Sequence, residues 1–173
     1  MEKFTRLTAI AAPLLRINID TDAIIPSREM KRVSKVGLSD GLFAGWRYQS
    51  PGSRTENPDF ILNREPWRKA QILLSGINFG CGSSREHAVW ALHEWGIRAI
   101  IAPSFGSIFQ GNCVRNGIVP VILDNAVVEI GHACFDSILH AGAVNLGKQI
   151  VFQVIIYVKN RLTFHSIEAS FFM

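Results

Sequence analysis

The sequence predicts an α/β fold built around a parallel sheet, and three observations support this prediction. After residue 70, short apolar stretches alternate with amphipathic ones in the order strand, helix, strand, helix, strand. Such alternation implies parallel strands joined by right-handed crossovers. The chain has 173 residues, of which 48% are hydrophobic and 18% charged, a balance typical of a globular protein. We therefore expect residues 1–173 to form a single domain.

The first predicted strand lies in the apolar, β-prone segment 4–19, which Pro13 interrupts. An Asx-rich turn and a short apolar step follow at residues 18–26, with the sequence NIDTDAIIP. Residues 27–69 look irregular. Within them, the polar stretch 48–59 contains a glycine and two prolines, and loops of this length tend to be functional or mobile.

The regular core begins at residue 71, where strand and helix patterns alternate. Its predicted elements are the strand 71–75, the glycine-rich turn 76–82, the helix 83–95, the strand 98–102, the helix 104–116 and the strand 118–123. Gly96 ends the first helix, and the pair Asn116-Gly117 caps the second. Residues 127–139 predict a further helix and residues 149–164 a β-hairpin.

The charge pattern argues against a nucleic-acid partner. Lys and Arg outnumber Asp and Glu by 18 to 14, a net charge of +4, and the basic residues are scattered apart from residues 28–35. A mild excess of this kind fits an anionic substrate such as a small dicarboxylate. The longest apolar runs, such as residues 150–158, are too short to cross a bilayer, so we expect no membrane partner.

The three cysteines, Cys81, Cys113 and Cys134, predict neither a disulfide framework nor a metal site. Their number is odd, their spacing is wide, and no CxxC pattern occurs. This usage favours a reducing cytoplasm. Cys81 could be a nucleophile or a ligand, but we interpret it as a small residue packed in a tight turn.

The segment NFGCGSSREH at residues 78–87 carries the strongest chemical signal. Its turn has glycines at positions 76, 80 and 82, which allow the backbone to approach a bound group closely. The turn delivers Ser83, Ser84 and Arg85 to a helix N-terminus, where free N–H groups and the helix dipole favour negative charge. A serine alkoxide would be stabilised there, and an arginine one turn away can grip a carboxylate. The pattern suits proton removal next to a carboxylate.

Other interpretations of the same residues remain open. Ser83 and Glu86 match the capping box S-x-x-E, which requires no function. A nucleotide site is a further alternative, although the spacing matches neither GxGxxG nor GxxxxGK[ST]. Ser83 and His87 lie four residues apart, so a Ser–His contact on one helix face is conceivable. In the earlier turn, Asp20 and Asp22 either cap the turn or orient an acid–base group.

Taken together, these motifs resemble the small subunit of 3-isopropylmalate dehydratase. The segments that carry the resemblance are NIDTDAIIP at 18–26, NPDF at 57–60, NFGCGSSREHA at 78–88, APSFGSIF at 102–109 and Gly111-Asn112. The match extends over about residues 4–165. The sequence also resembles the C-terminal swivelling domain of aconitase, which carries a similar GSSREHA turn.

The resemblance implies a β/β/α swivelling domain that closes over a larger partner subunit in a heterodimer. The partner would hold a 4Fe-4S cluster acting as a Lewis acid, and this chain would bind no cofactor and no metal itself. The family is a hydro-lyase of leucine biosynthesis, interconverting 2-isopropylmalate and 3-isopropylmalate through 2-isopropylmaleate. Related hydro-lyases that act on homoaconitate or methylmalate, and a phosphate-binding or nucleotide-binding module, are the alternatives.

By position, the resemblance assigns Ser83 as the base, Arg85 as a carboxylate ligand and Asp22 as an active-site aspartate. Ser84 would assist through its N–H or hydroxyl. Residues 28–37 fall where the family has a mobile substrate-recognition loop, which makes Arg32 a second carboxylate contact.

The C-terminus departs from the family pattern. Family members continue past residues 163–167 with a helix and a segment resembling NGLDDIGLT, whereas this sequence ends in SFFM at 170–173. We therefore expect a C-terminus shortened relative to the family, with a cost to activity, solubility or partner affinity.

Overall fold

A six-stranded sheet and four α-helices form the part of the chain that the computed structural model describes, residues 6–30, 36–124, 152–160 and 163–171. The strands are β1 (Arg6–Leu14), β2 (Ile72–Ser75), β3 (Ala99–Ala102), β4 (Val119–Ile122), β5 (Phe152–Asn160) and β6 (Thr163–Phe171). The helices are α1 (Thr21–Ile24), α2 (Ala44–Arg47), α3 (Glu86–Trp95) and α4 (Ser107–Arg115). Single 3-10 turns occur at Ser27–Glu29, Ser39–Gly41, Ile61–Asn63 and Trp67–Lys69.

The strand order in the sheet is β4-β3-β2-β1-β5-β6. Strands β1 to β4 are parallel to one another, whereas β5 and β6 run antiparallel to their neighbours. The predicted α/β class and its parallel β-α-β-α-β core are confirmed. Because β1 to β4 run in the same direction, the loops that follow them meet at one edge of the sheet, where ligands bind in open α/β folds.

Strand β1 continues through Pro13, so the predicted break at this residue is wrong. Pro13 is in register with Leu74 of β2. On its other side, the described pairing of β1 with β5 ends at Ile10. A proline is tolerated in a strand where only one neighbour requires backbone hydrogen bonds.

The core lies on both sides of the parallel strands. Every residue of β2 and β3 is buried, as expected for strands that are covered on both faces. Helix α3 contributes the buried side chains Ala88, Val89, Ala91 and Leu92. They recur at helical spacing, as in an amphipathic helix that packs one face on a core.

Both core helices begin three residues later than predicted. Helix α3 begins at Glu86 rather than Ser83, and α4 begins at Ser107 rather than Ser104. The Ser104 carbonyl accepts a hydrogen bond from the Phe79 N–H (3.1 Å), so the chain before α4 pairs with the loop after β2 instead of coiling.

Glycine and asparagine end the two core helices as predicted. Gly96, the C-cap of α3, has a φ of 116°. Asn116 is the C-cap of α4, and its side-chain amide donates to the Glu86 carboxylate at 2.9 Å. The end of α4 is thereby tied to the start of α3.

A C-terminal hairpin is present as predicted, but it extends beyond the predicted range 149–164, because β5 fills most of that range and β6 follows it to Phe171. Strands β5 and β6 pair from Phe152↔Phe171 to Asn160↔Thr163. The predicted helix at 127–139 lies outside the described residues. No helix in the described ranges is both long enough and apolar enough to cross a bilayer.

The segment between α1 and β2, predicted as irregular, is held together by two charged side chains. Buried Arg47 donates to the carbonyls of Ser39 (2.8 Å) and Asp40 (2.6 Å). Glu94 of α3 accepts hydrogen bonds from three consecutive N–H groups, those of residues 37–39, at 2.6, 2.6 and 2.8 Å. These contacts fix residues 37–40, and the regular secondary structure in the described part of the segment is limited to α2 and the four 3-10 turns.

Candidate active site

Two loops at the carboxyl edge of the sheet run side by side and bring the predicted site residues together. The loop after β1 and the loop after β2 exchange backbone hydrogen bonds from Gly80 N–H to Ile19 O (2.7 Å) and from Thr21 N–H to Cys81 O (3.0 Å). Asp20 and Cys81 therefore form a parallel bridge. This pairing places α1 directly against the turn at 82–85.

Gly80 permits this turn by its conformation and by its lack of a side chain. It has a φ of 74°, and a Cβ atom added there would lie 2.1 Å from the ring of Phe109. At Gly76, an added Cβ would lie 2.8 Å from the carbonyl oxygen of Arg16. We predicted that these glycines allow close approach of a bound group. At both positions, however, the group that approaches closely belongs to the protein: the Phe109 ring at Gly80 and the Arg16 carbonyl at Gly76.

Ser83 is an exposed residue whose side chain is held by a buried threonine. Its Oγ lies 3.1 Å from Oγ1 of Thr21. Thr21, which is only 2% exposed, also donates from Oγ1 to the Ser83 carbonyl at 3.0 Å. The Ser83 hydroxyl is thus oriented from the protein side and open to solvent on the other.

The capping-box interpretation of Ser83 is wrong. Helix α3 has Arg85 as its N-cap residue, and no side chain caps it. Ser83 lies before the helix, with its hydroxyl on Thr21, and Glu86 binds Asn116 instead of the N-cap N–H. Since the helix begins after Ser83, Ser83 and His87 do not share a helix face, and the Ser–His contact considered above does not form. The His87 ring packs on Trp90 at a centroid distance of 4.7 Å.

Arg85 forms an ion pair with Asp22 across the two loops. The hydrogen bond from Arg85 holds the pKa of Asp22 below its usual value, and the Ser27 hydroxyl (3.1 Å) and N–H (3.3 Å) add to this effect. The side chain of Arg85 is 26% exposed and that of Asp22 is 60% exposed. The pair can therefore be reached by a ligand.

The guanidinium of Arg85 keeps one edge available for a ligand. Its hydrogen bonds within the described residues both leave from one terminal nitrogen, Nη1, towards Asp22 and towards the Ile25 carbonyl (3.5 Å). The edge formed by Nε and Nη2 has the spacing that binds a carboxylate with two parallel hydrogen bonds.

Asp20 and Asp22 make different contacts, although the sequence predicted for both either capping of the turn or orientation of an acid–base group. Asp20 is the N-cap of α1 and accepts a hydrogen bond from the Ala23 N–H at 2.7 Å. The capping interpretation is confirmed for this residue. Asp22 instead points to Arg85.

Ser83 lies close to the N-terminus of helix α3. Ser84 is exposed beside it, and α3 begins within three residues. The first-turn N–H groups of a helix have no partner within the helix, and its dipole places partial positive charge at this end. Ser83 therefore lies two residues before Arg85, which is both the N-cap of this helix and a member of the Arg85–Asp22 ion pair.

The cysteines do not form a metal centre in the described part of the chain. There, no group of three His, Cys, Asp or Glu side chains has an arrangement that could hold a metal ion. Cys81 is partly exposed within the turn, and Cys113 is buried, which raises the pKa of its thiol. Cys134 lies outside the described residues.

Comparison with known proteins assigns the family. Residues 1–126 match the family model of the aconitase C-terminal domain. The chain belongs to the aconitase C-terminal domain family. Its predicted resemblance to this superfamily is confirmed.

Curated relatives in this family are 3-isopropylmalate dehydratase small subunits. The protein of this name from Cupriavidus necator is 67% identical over 129 residues, which cover 75% of this chain and 62% of the relative. The one from Rhodospirillum centenum is 56% identical over 137 residues, 79% of this chain and 66% of the relative. The chain thus spans less than two thirds of the length of these relatives.

A solved structure of the family has the same fold. The crystal structure of 3-isopropylmalate dehydratase from Methanocaldococcus jannaschii superimposes with a TM-score of 0.58. The alignment covers 95% of this chain and 83% of that one, at 24% sequence identity. At this identity the likeness shows the fold alone.

The structure thus brings Ser83, Arg85 and Asp22 to the two adjacent loops at the carboxyl edge of the sheet, with Ser84 exposed between Ser83 and Arg85, whereas Arg32 lies outside the described residues. The sequence interpretation missed Thr21. The segment NIDTDAIIP placed this residue between two aspartates, but its contact with Ser83 joins positions 62 residues apart. No local pattern carries that information.

Proposed function

We propose that this chain is the small subunit of a 3-isopropylmalate dehydratase. The enzyme would interconvert 2-isopropylmalate and 3-isopropylmalate by dehydration and rehydration through 2-isopropylmaleate, a step of leucine biosynthesis in the cytoplasm. One observation carries the proposal: an exposed serine hydroxyl lies beside an accessible Arg85–Asp22 pair at the carboxyl edge of the sheet. The names of relatives that share up to 67% identity with the chain support the same substrate.

Ser83 would act as the base. Its alkoxide would take the proton from the carbon next to a substrate carboxylate, and its hydroxyl would return a proton on hydration. The N-terminus of α3 and the guanidinium of Arg85 favour negative charge at this position.

Arg85 would bind a substrate carboxylate through its Nε–Nη2 edge while Nη1 stays on Asp22. In this arrangement Asp22 orients the guanidinium and does not touch the substrate carboxylate itself. Ser84 would add its N–H or hydroxyl, and Arg32 would contact the second carboxylate of the substrate.

The partner would be a large subunit that covers this surface in a heterodimer. A 4Fe-4S cluster on that partner would supply Lewis-acid chemistry for departure of the substrate hydroxyl. The names of the relatives, which designate small subunits, support a two-chain enzyme. The exposure of Ser83 and Arg85 supports a site that a second chain completes.

The test is reconstitution with the cognate large subunit under anaerobic conditions, with 2-isopropylmalate as substrate. We expect turnover by the complex and none by this chain alone. Ser83→Ala should lower kcat by about 10²- to 10⁴-fold, the range for loss of a general base. Ser50→Ala, in the exposed loop 48–59, is the matched control and should keep the wild-type rate.

Two results would contradict the proposal. Unchanged turnover in Ser83→Ala would refute the assignment of Ser83 as the base. Full-rate turnover by this chain without a partner would refute an active site shared between two subunits. Homoaconitate and methylmalate should be turned over more slowly than isopropylmalate. A thermal shift with nucleotide but none with isopropylmalate would favour a nucleotide-binding module instead.

A further inference from the structure

Thr21 has one hydroxyl hydrogen and two acceptors within reach. Its Oγ1 lies 3.0 Å from the carbonyl oxygen of Ser83 and 3.1 Å from the Oγ of the same residue. When Ser83 carries its proton, the two hydroxyls form an ordered chain. Ser83 donates to Thr21 Oγ1, and Thr21 donates to the Ser83 carbonyl.

The hydroxyl of Thr21 is held in place more firmly than an exposed serine could be. The Thr21 N–H donates to Cys81 O (3.0 Å), and its carbonyl accepts from the Ile25 N–H (3.0 Å). The residue is 2% exposed, and a β-branched side chain has few χ1 rotamers. A donor fixed in this way needs no reorganisation when charge develops at its acceptor.

We propose that Thr21 is a positioning residue for Ser83, and that its hydroxyl hydrogen turns from the Ser83 carbonyl to the Ser83 Oγ when that oxygen becomes an alkoxide. The proposal rests on the proposed function, in which Ser83 is the base. It assigns a task to a buried hydroxyl that the mechanism above does not use.

The protons balance without a net transfer to or from Thr21. Ser83 loses its proton to water while the site is open, and the Thr21 O–H rotates to donate to the alkoxide. The alkoxide then takes the proton from the substrate carbon. The electron pair of the C–H bond forms the C=C bond as the hydroxyl group leaves. The Thr21 O–H finally returns to the Ser83 carbonyl.

The titratable groups on the neighbouring elements are engaged elsewhere. Asp20 caps α1, Asp22 and Arg85 pair with each other, Glu86 accepts from Asn116, and His87 packs on Trp90. Cys81 takes part through its backbone carbonyl, which accepts the hydrogen bond from the Thr21 N–H. Among the residues described by the structure, Thr21 is the side chain that hydrogen-bonds the Ser83 hydroxyl.

The experiment measures the pH dependence of kcat/KM and kcat in the reconstituted complex. Thr21→Val keeps the shape of the side chain and removes the donor. We expect a 10- to 100-fold loss in kcat, about the worth of a hydrogen bond to a charged group, with KM little changed. The acid limb of the profile should move to higher pH by about one unit, because the alkoxide forms less readily.

Thr21→Ser should restore both the rate and the profile, since it returns the hydroxyl. Thr55→Val, on an exposed threonine of the loop 48–59, is the control and should match the wild type in both. Thr21→Ala serves as a second hydroxyl-free variant if Thr21→Val does not fold, and it should show the same shift of the profile.

The possible failures can be told apart. An unshifted profile in folded Thr21→Val or Thr21→Ala, while Ser83→Ala is inactive, overturns the role of Thr21 and leaves the proposed function intact. Thr21→Ser as slow as Thr21→Val also overturns it, because the hydroxyl would then not be the group that matters. Absence of turnover in the wild-type complex would instead refute the proposed function.

Discussion

Arg85 reaches Asp22 across 63 positions of the chain and binds it through Nη1. The pair forms because β1 and β2 are adjacent and parallel, so the loops that follow them lie side by side. Asp22 also accepts hydrogen bonds from the N–H and hydroxyl of Ser27. One carboxylate oxygen, Oδ1, thus accepts from both the Ser27 turn and the guanidinium, which is oriented before any ligand binds.

Arg85→Lys tests whether this guanidinium binds a carboxylate. A lysine keeps the charge but cannot offer two parallel N–H groups. We expect KM for isopropylmalate to rise about 10- to 100-fold in the reconstituted enzyme. Arg68→Lys is the control, because Arg68 pairs with Glu56 at the surface (2.7 Å) and should leave KM unchanged. An unaltered KM in Arg85→Lys would exclude this contact.

Glu94→Gln tests the link between α3 and the segment at residues 37–39. The carboxylate accepts three N–H groups, and an amide would direct its NH₂ at one or two of these donors. We expect the free energy of unfolding to fall by about 1–3 kcal/mol, measured by urea denaturation. Glu56→Gln, which breaks the surface pair with Arg68, should cost less, about 0–1 kcal/mol. Equal costs would contradict the special role of Glu94.

The contribution of Glu94 should depend on pH. Burial opposes its charge, but the hydrogen bonds from the N–H groups of Gly37, Ser39 and Leu38 outweigh burial and hold the pKa of Glu94 below its usual value. A carboxylate with a lowered pKa in the folded state stabilises above its unfolded pKa, about 4.3, and loses this effect as pH falls through its folded pKa.

The stability gap between wild type and Glu94→Gln should therefore be constant from about pH 5 to 7 and narrow below about pH 4. Urea denaturation at several pH values measures it. Asp22, whose pKa is also lowered, should make the stability of both proteins fall in acid. Its effect should be smaller than that of Glu94, since its side chain is 60% exposed. A gap that widens in acid would contradict this assignment.

The sequence predicted the core elements because their signals are local. Strands β2 and β3 are short apolar runs, and Gly96 and Gly117 mark the helix ends by their left-handed conformations. The helix starts were not predictable in this way. Residues 104–106 resemble a first turn, yet their backbone pairs with Phe79, which is distant in the sequence. Local propensity yields to tertiary pairing there.

The candidate site was predictable in its residues but not in its contacts. Ser83 and Arg85 were found from a turn before a helix, and Asp22 from the resemblance of its motif. That Asp22 pairs with Arg85, whereas Asp20 caps a helix, depends on which strand lies beside β1. The position of Thr21 beneath Ser83 depends on the same adjacency.

Gly80→Ala tests whether the turn depends on the close packing of its backbone. An alanine would have to adopt a φ of 74° and would place its Cβ 2.1 Å from the ring of Phe109. We expect a loss of about 2–4 kcal/mol in the free energy of unfolding, from the left-handed conformation and from overpacking. Circular dichroism during urea denaturation measures this loss.

Gly45→Ala is the matched control for this substitution. Gly45 lies in α2, and a Cβ atom there would have no neighbour within 4 Å. Alanine should therefore be neutral or stabilise the protein by up to about 1 kcal/mol. Combining Gly80→Ala with Phe109→Leu should cost less than the sum of the two single changes, because the smaller side chain relieves the clash. Strict additivity would show that the Phe109 ring is not what excludes a side chain at position 80.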